Sequence, residues 1–132
     1  MKLAQYKEMR TEHEEQVEVI SKCDKLKILV FAVPNGTNKS KMARGMHKAE
    51  GLRAGVPDLF FPIANKYYHG LFVEMKQRPR TLKSGKMSTS HTKVSENQET
   101  WLQSLRHNNY EAVIAYGADE AMSIINDYME NI

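Results

Sequence analysis

The sequence predicts an α/β domain in which helices flank a mixed β-sheet, in the order α-β-α-β-β-α-β-α. Two unbroken apolar runs, 28–33 and 112–116, are too short for helices and predict buried strands. The stretch 55–76, GVPDLFFPIANKYYHGLFVEMK, predicts two further strands joined by a turn over 64–70. Helical patterns occupy four further segments, at 11–24, 40–49, 95–107 and 118–129. The hairpin is the expected centre of the sheet.

Length and composition favour one globular domain spanning residues 1–132. Hydrophobic residues make up 41% and charged residues 27%, which is ordinary for a soluble protein. The longest apolar run is far shorter than the roughly 20 residues that a membrane helix needs, so we expect no membrane association. Cys23 is the single cysteine, which excludes an internal disulfide and a cysteine-based zinc cluster. With no signal-peptide pattern at the start, the sequence predicts a reducing, cytoplasmic setting.

The first helix carries three glutamates near its start, and only one aligns with its apolar face. Thr11 is the expected N-cap, with Glu14 in the capping-box position. At 100° per residue, Glu12 shares a face with Gln16, Glu14 points away, and Glu15 lies about 60° off. The apolar members of that face are Val19, Ile20, Cys23 and Leu26. Glu12 is therefore the preferred inward carboxylate and Glu15 the second choice, unless the helix simply projects past the core and leaves Glu12 solvated.

The hairpin concentrates charge on one face of an apolar strand. Glu74 and Lys76 point the same way because side chains alternate along a strand, and Asp58 opens the neighbouring strand. Burying such charges is costly unless partners converge on them. Two carboxylates beside an ammonium predict a site for a hard divalent cation. The alternative is an edge hairpin with solvated surface charges.

The segment 77–94 is expected to form a cationic loop, because it contains no acidic residue. Its basic residues are Arg78, Arg80, Lys83, Lys86, His91 and Lys93. A solvated basic loop is one explanation, but its place directly after the carboxylate site favours contact with phosphates.

The helix after this loop is expected to begin at its N-cap Ser95 and to end near His107. Gln98 shares the inner face of this helix with Trp101, Leu102 and Leu105. Its amide either hydrogen-bonds the predicted site or satisfies a backbone group.

Pro57-Asp58 followed by Glu74-Met75-Lys76 resembles the motif of the PD-(D/E)xK nuclease superfamily. Within it, the chain resembles the VRR-NUC domain, the virus-type replication-repair nuclease module, from about residue 11 to residue 122. The resemblance rests on Glu12, Gln16, Pro34-Asn35-Gly36, Gly55-Val56-Pro57-Asp58, Glu74-Met75-Lys76, Ser95 and Gln98. The loop 77–94 is longer than in the compact family form. The implied fold is restriction-endonuclease-like.

The resemblance implies a metal-dependent DNA endonuclease in which Mg²⁺ or Mn²⁺ is held by Asp58, Glu74, the Met75 carbonyl and Glu12. Lys76 would orient the attacking water or stabilise the transition state, with Gln98 positioning Lys76 or the phosphate. Arg78, Arg80, Lys83, Lys86 and Lys93 would contact the DNA backbone. The family further implies a stand-alone phage homodimer in a bacterial host, acting in replication, recombination or repair. It implies no small-molecule organic cofactor.

Two other functions remain open at this point. A nucleic-acid-binding module without catalysis would use the carboxylates structurally, yet Asp58, Glu74 and Lys76 are all present. A small-molecule phosphohydrolase is disfavoured because neither a His-rich metal cluster nor a P-loop occurs. The residues do not decide between branched, flap and plain duplex DNA.

Overall fold

A computed structural model describes residues 10–34, 41–81, 83–88 and 92–132. The elements are α1 (Glu12–Lys25), β1 (Phe31–Ala32), α2 (Lys41–Ala49), β2 (Leu59–Phe61), β3 (Leu71–Lys76), β4 (Arg80–Thr81), β5 (Met87–Ser88), α3 (Glu96–His107), β6 (Glu111–Tyr116) and α4 (Ala118–Glu130). The predicted mixed α/β fold is confirmed. No helix within the described ranges is long and apolar enough to cross a membrane.

The main sheet has four strands in the order β1-β2-β3-β6, which makes β3 a central strand. β3 pairs antiparallel with β2, with Phe60 opposite Phe72, and parallel with β6, with Glu74 opposite Ile114. The predicted hairpin is therefore the middle of a mixed sheet.

The two faces of β3 have different environments. Leu71, Val73 and Met75 are fully buried in the core. That core is completed by α1, through Val19 and Cys23, and by α4. The alternating residues Phe72, Glu74 and Lys76 consequently lie on the opposite face, where α3 packs beside β6. The sheet thus separates an apolar core from a charged face.

The apolar run 28–33 is predicted to be a buried strand, and this prediction is wrong. Only Phe31–Ala32 form a strand, and Leu29 and Phe31 are 60% and 51% exposed. Ile28 and Val30 pack against the core instead. The reason is position: β1 pairs only with β2 in the described sheet, so an edge strand buries alternate residues.

The cationic loop also differs from expectation, because β4 and β5 pair antiparallel within it, with Arg80 opposite Ser88. At the end of α1, Leu26 is the C-cap and is 58% exposed rather than part of the inner face. Asn35, Gly36, Ser40 and His91 lie outside the described residues, and the same holds for the side chain of Arg80.

Candidate active site

Asp58 is fixed to the central strand at the point where its own strand begins. Its Oδ2 accepts a hydrogen bond from the backbone N–H of Met75 at 2.7 Å. Its carbonyl accepts another from the N–H of Val33 at 2.7 Å. Asp58 therefore links β2 to β3 directly beside Glu74, and the Asp58 carboxylate is held on the charged face of the sheet.

Three carboxylates from three separate elements converge here. Glu12 of α1, Asp58 at the start of β2 and Glu74 of β3 each offer an oxygen, all within 4.8 Å of one another. Glu12 is exposed, Asp58 is half-buried and Glu74 is buried. Carboxylate oxygens are the ligands that Mg²⁺ and similar hard cations prefer. The donor set fits a divalent cation.

The electrostatics of this group favour an added positive charge. Burial, followed by hydrogen bonding to Asp58 and repulsion from its charge, raises the pKa of Glu74 to about 9. Burial first and Asp58 second raise the pKa of Glu12, while Lys76 opposes this rise. The site therefore retains a proton where a cation could replace it.

Lys76 lies on the same face as Glu74 and is only 8% exposed. Its Nζ donates a hydrogen bond to Oε1 of Gln98 at 2.9 Å. The same oxygen accepts from the Ser95 N–H at 2.9 Å, while the Gln98 N–H donates to Ser95 Oγ at 3.1 Å. Gln98 thus closes the capping box of α3 and holds the lysine. Both of the alternatives posed for its amide apply at once.

Gly55 explains how α3 comes close enough for this contact. Its φ is +90°, and a Cβ placed there would lie 2.7 Å from the carbonyl carbon of Asn97. Glycine tolerates both the conformation and the close approach. The loop that leads to Asp58 therefore packs directly on the start of α3, which carries Gln98.

Glu15, the second choice for the site, lies elsewhere. It is fully buried, and its Oε2 accepts hydrogen bonds from Arg78 Nε and from the Ala118 N–H, each at 2.8 Å. Arg10 Nε also lies 3.3 Å from its Oε1. The carboxylate that α1 contributes to the group of three is thus that of Glu12.

The predicted DNA-contacting cations differ in how they are engaged. Arg78 is ion-paired with Glu15 and lies 3.6 Å from Asp119. The side chains of Lys83, Lys86 and Lys93 are exposed.

Sequence reasoning missed Gln77, whose buried side chain donates to the carbonyl of Arg10 at 2.8 Å. Its position directly after Lys76, at the end of β3, was the available signal.

Comparison with known proteins agrees with this geometry. The family model described as the VRR-NUC domain matches residues 4–119. A solved structure titled "VRR_NUC domain protein" superimposes with a TM-score of 0.72 and 25% identity, covering 92% of this chain and 90% of that chain. A comparison with curated proteins finds no match. With the family model spanning most of its length, the chain belongs to the VRR-NUC domain family.

Proposed function

We propose that this protein is a metal-dependent endonuclease that hydrolyses phosphodiester bonds in DNA. The observation that carries the proposal is the convergence of Glu12, Asp58 and Glu74 within 4.8 Å. Lys76 lies on the same face of the sheet. A nuclease-type activity is what membership of the VRR-NUC family implies.

The residues that would hold the cation are Glu12, Asp58 and Glu74, with the backbone carbonyl of Met75 as a further oxygen. Mg²⁺ or Mn²⁺ suits this all-oxygen set. A bound cation of this kind supplies an acidified water and neutralises charge on the scissile phosphate. The carboxylates fix where that charge sits, since Asp58 is tied to Met75 N–H and Glu74 is buried in the central strand.

Lys76 contributes a fixed positive charge close to the reacting phosphate. Its hydrogen bond to Gln98 leaves the remaining Nζ protons free to orient the attacking water or to stabilise the pentavalent transition state. Gln98 in turn is fixed by the Ser95 capping box. A preorganised ammonium needs little rearrangement when negative charge develops, which is the main source of electrostatic catalysis.

The exposed Lys83, Lys86 and Lys93 would bind the phosphate backbone without reading sequence. Arg80 belongs to the same proposed surface, whereas Arg78, the remaining cation that the sequence predicts there, is ion-paired with Glu15. Selectivity for branched or junction DNA and a phage role in replication, recombination or repair complete the proposal on family grounds alone.

A homodimer is also part of the proposal. Among the residues that the structure describes, β1 pairs with β2 alone, so its other edge is where a second copy would pair. Exposed apolar side chains, Phe31 on β1 and Met42 and Met46 on α2, supply surface that a partner could cover. Sedimentation velocity of the full chain measures the mass; a monomer at micromolar concentration would contradict this part.

The function is tested with cleavage assays on supercoiled plasmid, linear duplex and branched DNA, with Mg²⁺, Mn²⁺ or EDTA. We expect cleavage that requires a divalent ion and is lost in Asp58→Ala. DNA binding without cleavage under every metal condition would overturn the proposal in favour of a non-catalytic binding module. Equal rates on all three substrates would remove the structure selectivity alone.

A further inference from the structure

The two residues that follow β3, Gln77 and Arg78, both form hydrogen bonds with the beginning of α1. Gln77 is 8% exposed, and its Nε2 donates to the carbonyl of Arg10 at 2.8 Å. Arg78 donates through Nε and Nη2 to the two carboxylate oxygens of Glu15, at 2.8 and 3.3 Å. This bidentate geometry fixes direction as well as distance. The strand β3 thus carries Glu74 and Lys76, and the two residues that follow it bind the start of α1.

Glu12 lies between these two grips. Arg10 comes two residues before it, and Glu15 follows on the next turn of the helix. The backbone is therefore held on either side of the residue that supplies the third carboxylate. This matters because Glu12 has an oxygen within 4.8 Å of those of Asp58 and Glu74, and like charges at that distance repel. Val19 and Cys23 hold the later turns of α1 in the core, so these anchors are needed at its first turn, which would otherwise relieve that repulsion by moving away from the sheet.

The grip on Glu15 is reinforced from the start of α4. Gly117 is the N-cap and supplies no side-chain hydrogen bond, so Glu15 Oε2 accepts from the Ala118 N–H at 2.8 Å in its place. The φ of Gly117 is +93°, and a Cβ there would lie 2.5 Å from both Glu15 Oε2 and Arg78 Nε. Gly117 N–H also donates to the carbonyl of Lys76 at 3.0 Å. The backbone of Gly117 therefore lies directly against the Glu15–Arg78 ion pair.

We propose that Gln77, Arg78 and Glu15 form a clamp that holds α1 so that Glu12 reaches the metal site. These are positioning residues: they act on the metal through Glu12 and touch neither the cation nor DNA. The inference rests on the proposed function only in that the three carboxylates bind a divalent ion. It assigns the guanidinium of Arg78 to the helix rather than to a phosphate.

The test is Mn²⁺ binding to the full chain, measured by isothermal titration calorimetry without DNA. Gln77→Ala should raise the Kd for Mn²⁺ about tenfold, the lower range for outer-shell partners of a metal site. Arg78→Ala should do the same or more. Gln103→Ala is the matched control, because it removes an exposed amide whose hydrogen bond, among the residues that the structure describes, is to Glu99 on the same helix. Its Kd should equal that of the wild type.

A double-mutant cycle separates positioning from a general loss of structure. In a Glu12→Gln background, adding Gln77→Ala should change the Kd for Mn²⁺ less than twofold, since no Glu12 carboxylate remains to be positioned. The same tenfold loss in both backgrounds would overturn the clamp, and so would an unchanged Kd in Gln77→Ala. If Arg78→Ala unfolds by circular dichroism, Gln77→Ala still decides, because it leaves the Glu15–Arg78 pair intact.

The outcomes also distinguish this inference from the proposed nuclease function. Mn²⁺ binding that depends on the clamp, combined with no DNA cleavage, would support the clamp and overturn the function. Mn²⁺ binding that the clamp variants do not change, combined with normal cleavage, would support the function and overturn the clamp. Wild-type protein that binds no Mn²⁺ at millimolar concentration would overturn both the clamp and the metal site.

Discussion

Glu12 and Glu15 lie one turn apart on α1 and occupy opposite electrostatic situations. Glu15 is fully buried, and the protein supplies its countercharge through Arg78 and Arg10 and an N–H through Ala118. Glu12 faces two other carboxylates, with Lys76 as a nearby cation that only partly offsets them. One carboxylate is satisfied by the chain, and the other belongs to a group with excess negative charge. Such an excess marks a place for an external cation, whereas a satisfied pair marks structure.

The largest effect should come from removing a carboxylate of the unsatisfied group, which is formed by Glu12, Asp58 and Glu74. Asp58→Ala or Glu74→Ala should abolish cleavage, by about 10³-fold or more, since several kcal/mol of charge stabilisation is lost. The fold should persist, because the repulsion relieved by removing one of three clustered carboxylates offsets the hydrogen bond to the Met75 N–H that Asp58→Ala loses. Cleavage of plasmid with Mg²⁺ or Mn²⁺ measures the first part and circular dichroism the second. Wild-type rates in either variant would remove the site.

Within α1, the comparison predicts a sharp difference between neighbouring glutamates. Glu12→Gln should raise the Mg²⁺ concentration for half-maximal cleavage by about tenfold or more, because a ligand charge is lost. Glu14→Gln should be nearly silent, since Glu14 is exposed and glutamine also serves in a capping box. Metal titrations of cleavage rate give both values. Equal curves for Glu12→Gln and wild type would exclude Glu12 from the metal site.

The satisfied carboxylate should instead affect stability. Glu15→Ala leaves the Ala118 N–H without its partner in a buried place and deprives the partly exposed Arg78 of its nearest carboxylate, and should lower the free energy of unfolding by about 3 kcal/mol. Asp24→Ala, an exposed acidic residue at the other end of α1, is the control and should change it little. Urea denaturation without metal compares them. A loss below that of the control would show that the pair is not structurally important.

The motif residues were accessible from the sequence because they depend on local periodicity. Alternation along β3 places Glu74 and Lys76 on one face, and helical spacing selects Glu12 over Glu14. The family resemblance, confirmed by the match over residues 4–119, joined these separate segments into one site.

The Glu15–Arg78 pair was not accessible, because its members are 63 residues apart and meet only where α1, β3 and α4 pack together. Glu15 lies off the apolar stripe, so its burial depends on the cation Arg78, which belongs to the segment after β3. The exposure of Leu29 and Phe31 likewise follows from β1 being at the sheet edge, and strand order is a tertiary property. Edge and central strands cannot be distinguished by an apolar run alone.

The unsatisfied group should also make stability depend on pH. The pKa of Glu74 rises from an ordinary 4.5 to about 9 in the folded apo protein, so between these values the folded state holds a proton that the unfolded state has lost. Stability from this group is therefore full below the lower value and falls as pH rises toward the upper one, by up to about 1.4 kcal/mol per pH unit. Glu74→Gln should flatten the slope and be more stable than wild type at about pH 8.

Thermal unfolding of both proteins across this range, with EDTA, measures that slope. Adding Mn²⁺ should stabilise the wild type and displace the proton, with a smaller effect on Glu74→Gln. Parallel pH profiles without metal would mean that Glu74 is ionised in the apo protein.

The smallest effect concerns the cations. Like the carboxylates, the cations that the structure describes divide into those paired within the protein and those that are not. Arg78 is engaged by Glu15, whereas Lys83 on the neighbouring loop is exposed. Removing one cation that binds a phosphate should reduce the slope of log K against log salt by about 0.9 on duplex DNA. Lys83→Ala should therefore reduce the slope by about that amount and weaken binding uniformly across sequences. Arg78→Ala should leave the slope unchanged, because its charge already neutralises a buried carboxylate.

Fluorescence anisotropy in Ca²⁺ or EDTA, over a range of salt, measures both slopes under conditions chosen to suppress cleavage. If Arg78→Ala reduced the slope and Lys83→Ala left it unchanged, the assignment would be reversed. The guanidinium of Arg78, despite its buried partner Glu15, would then be the group that contacts the DNA backbone.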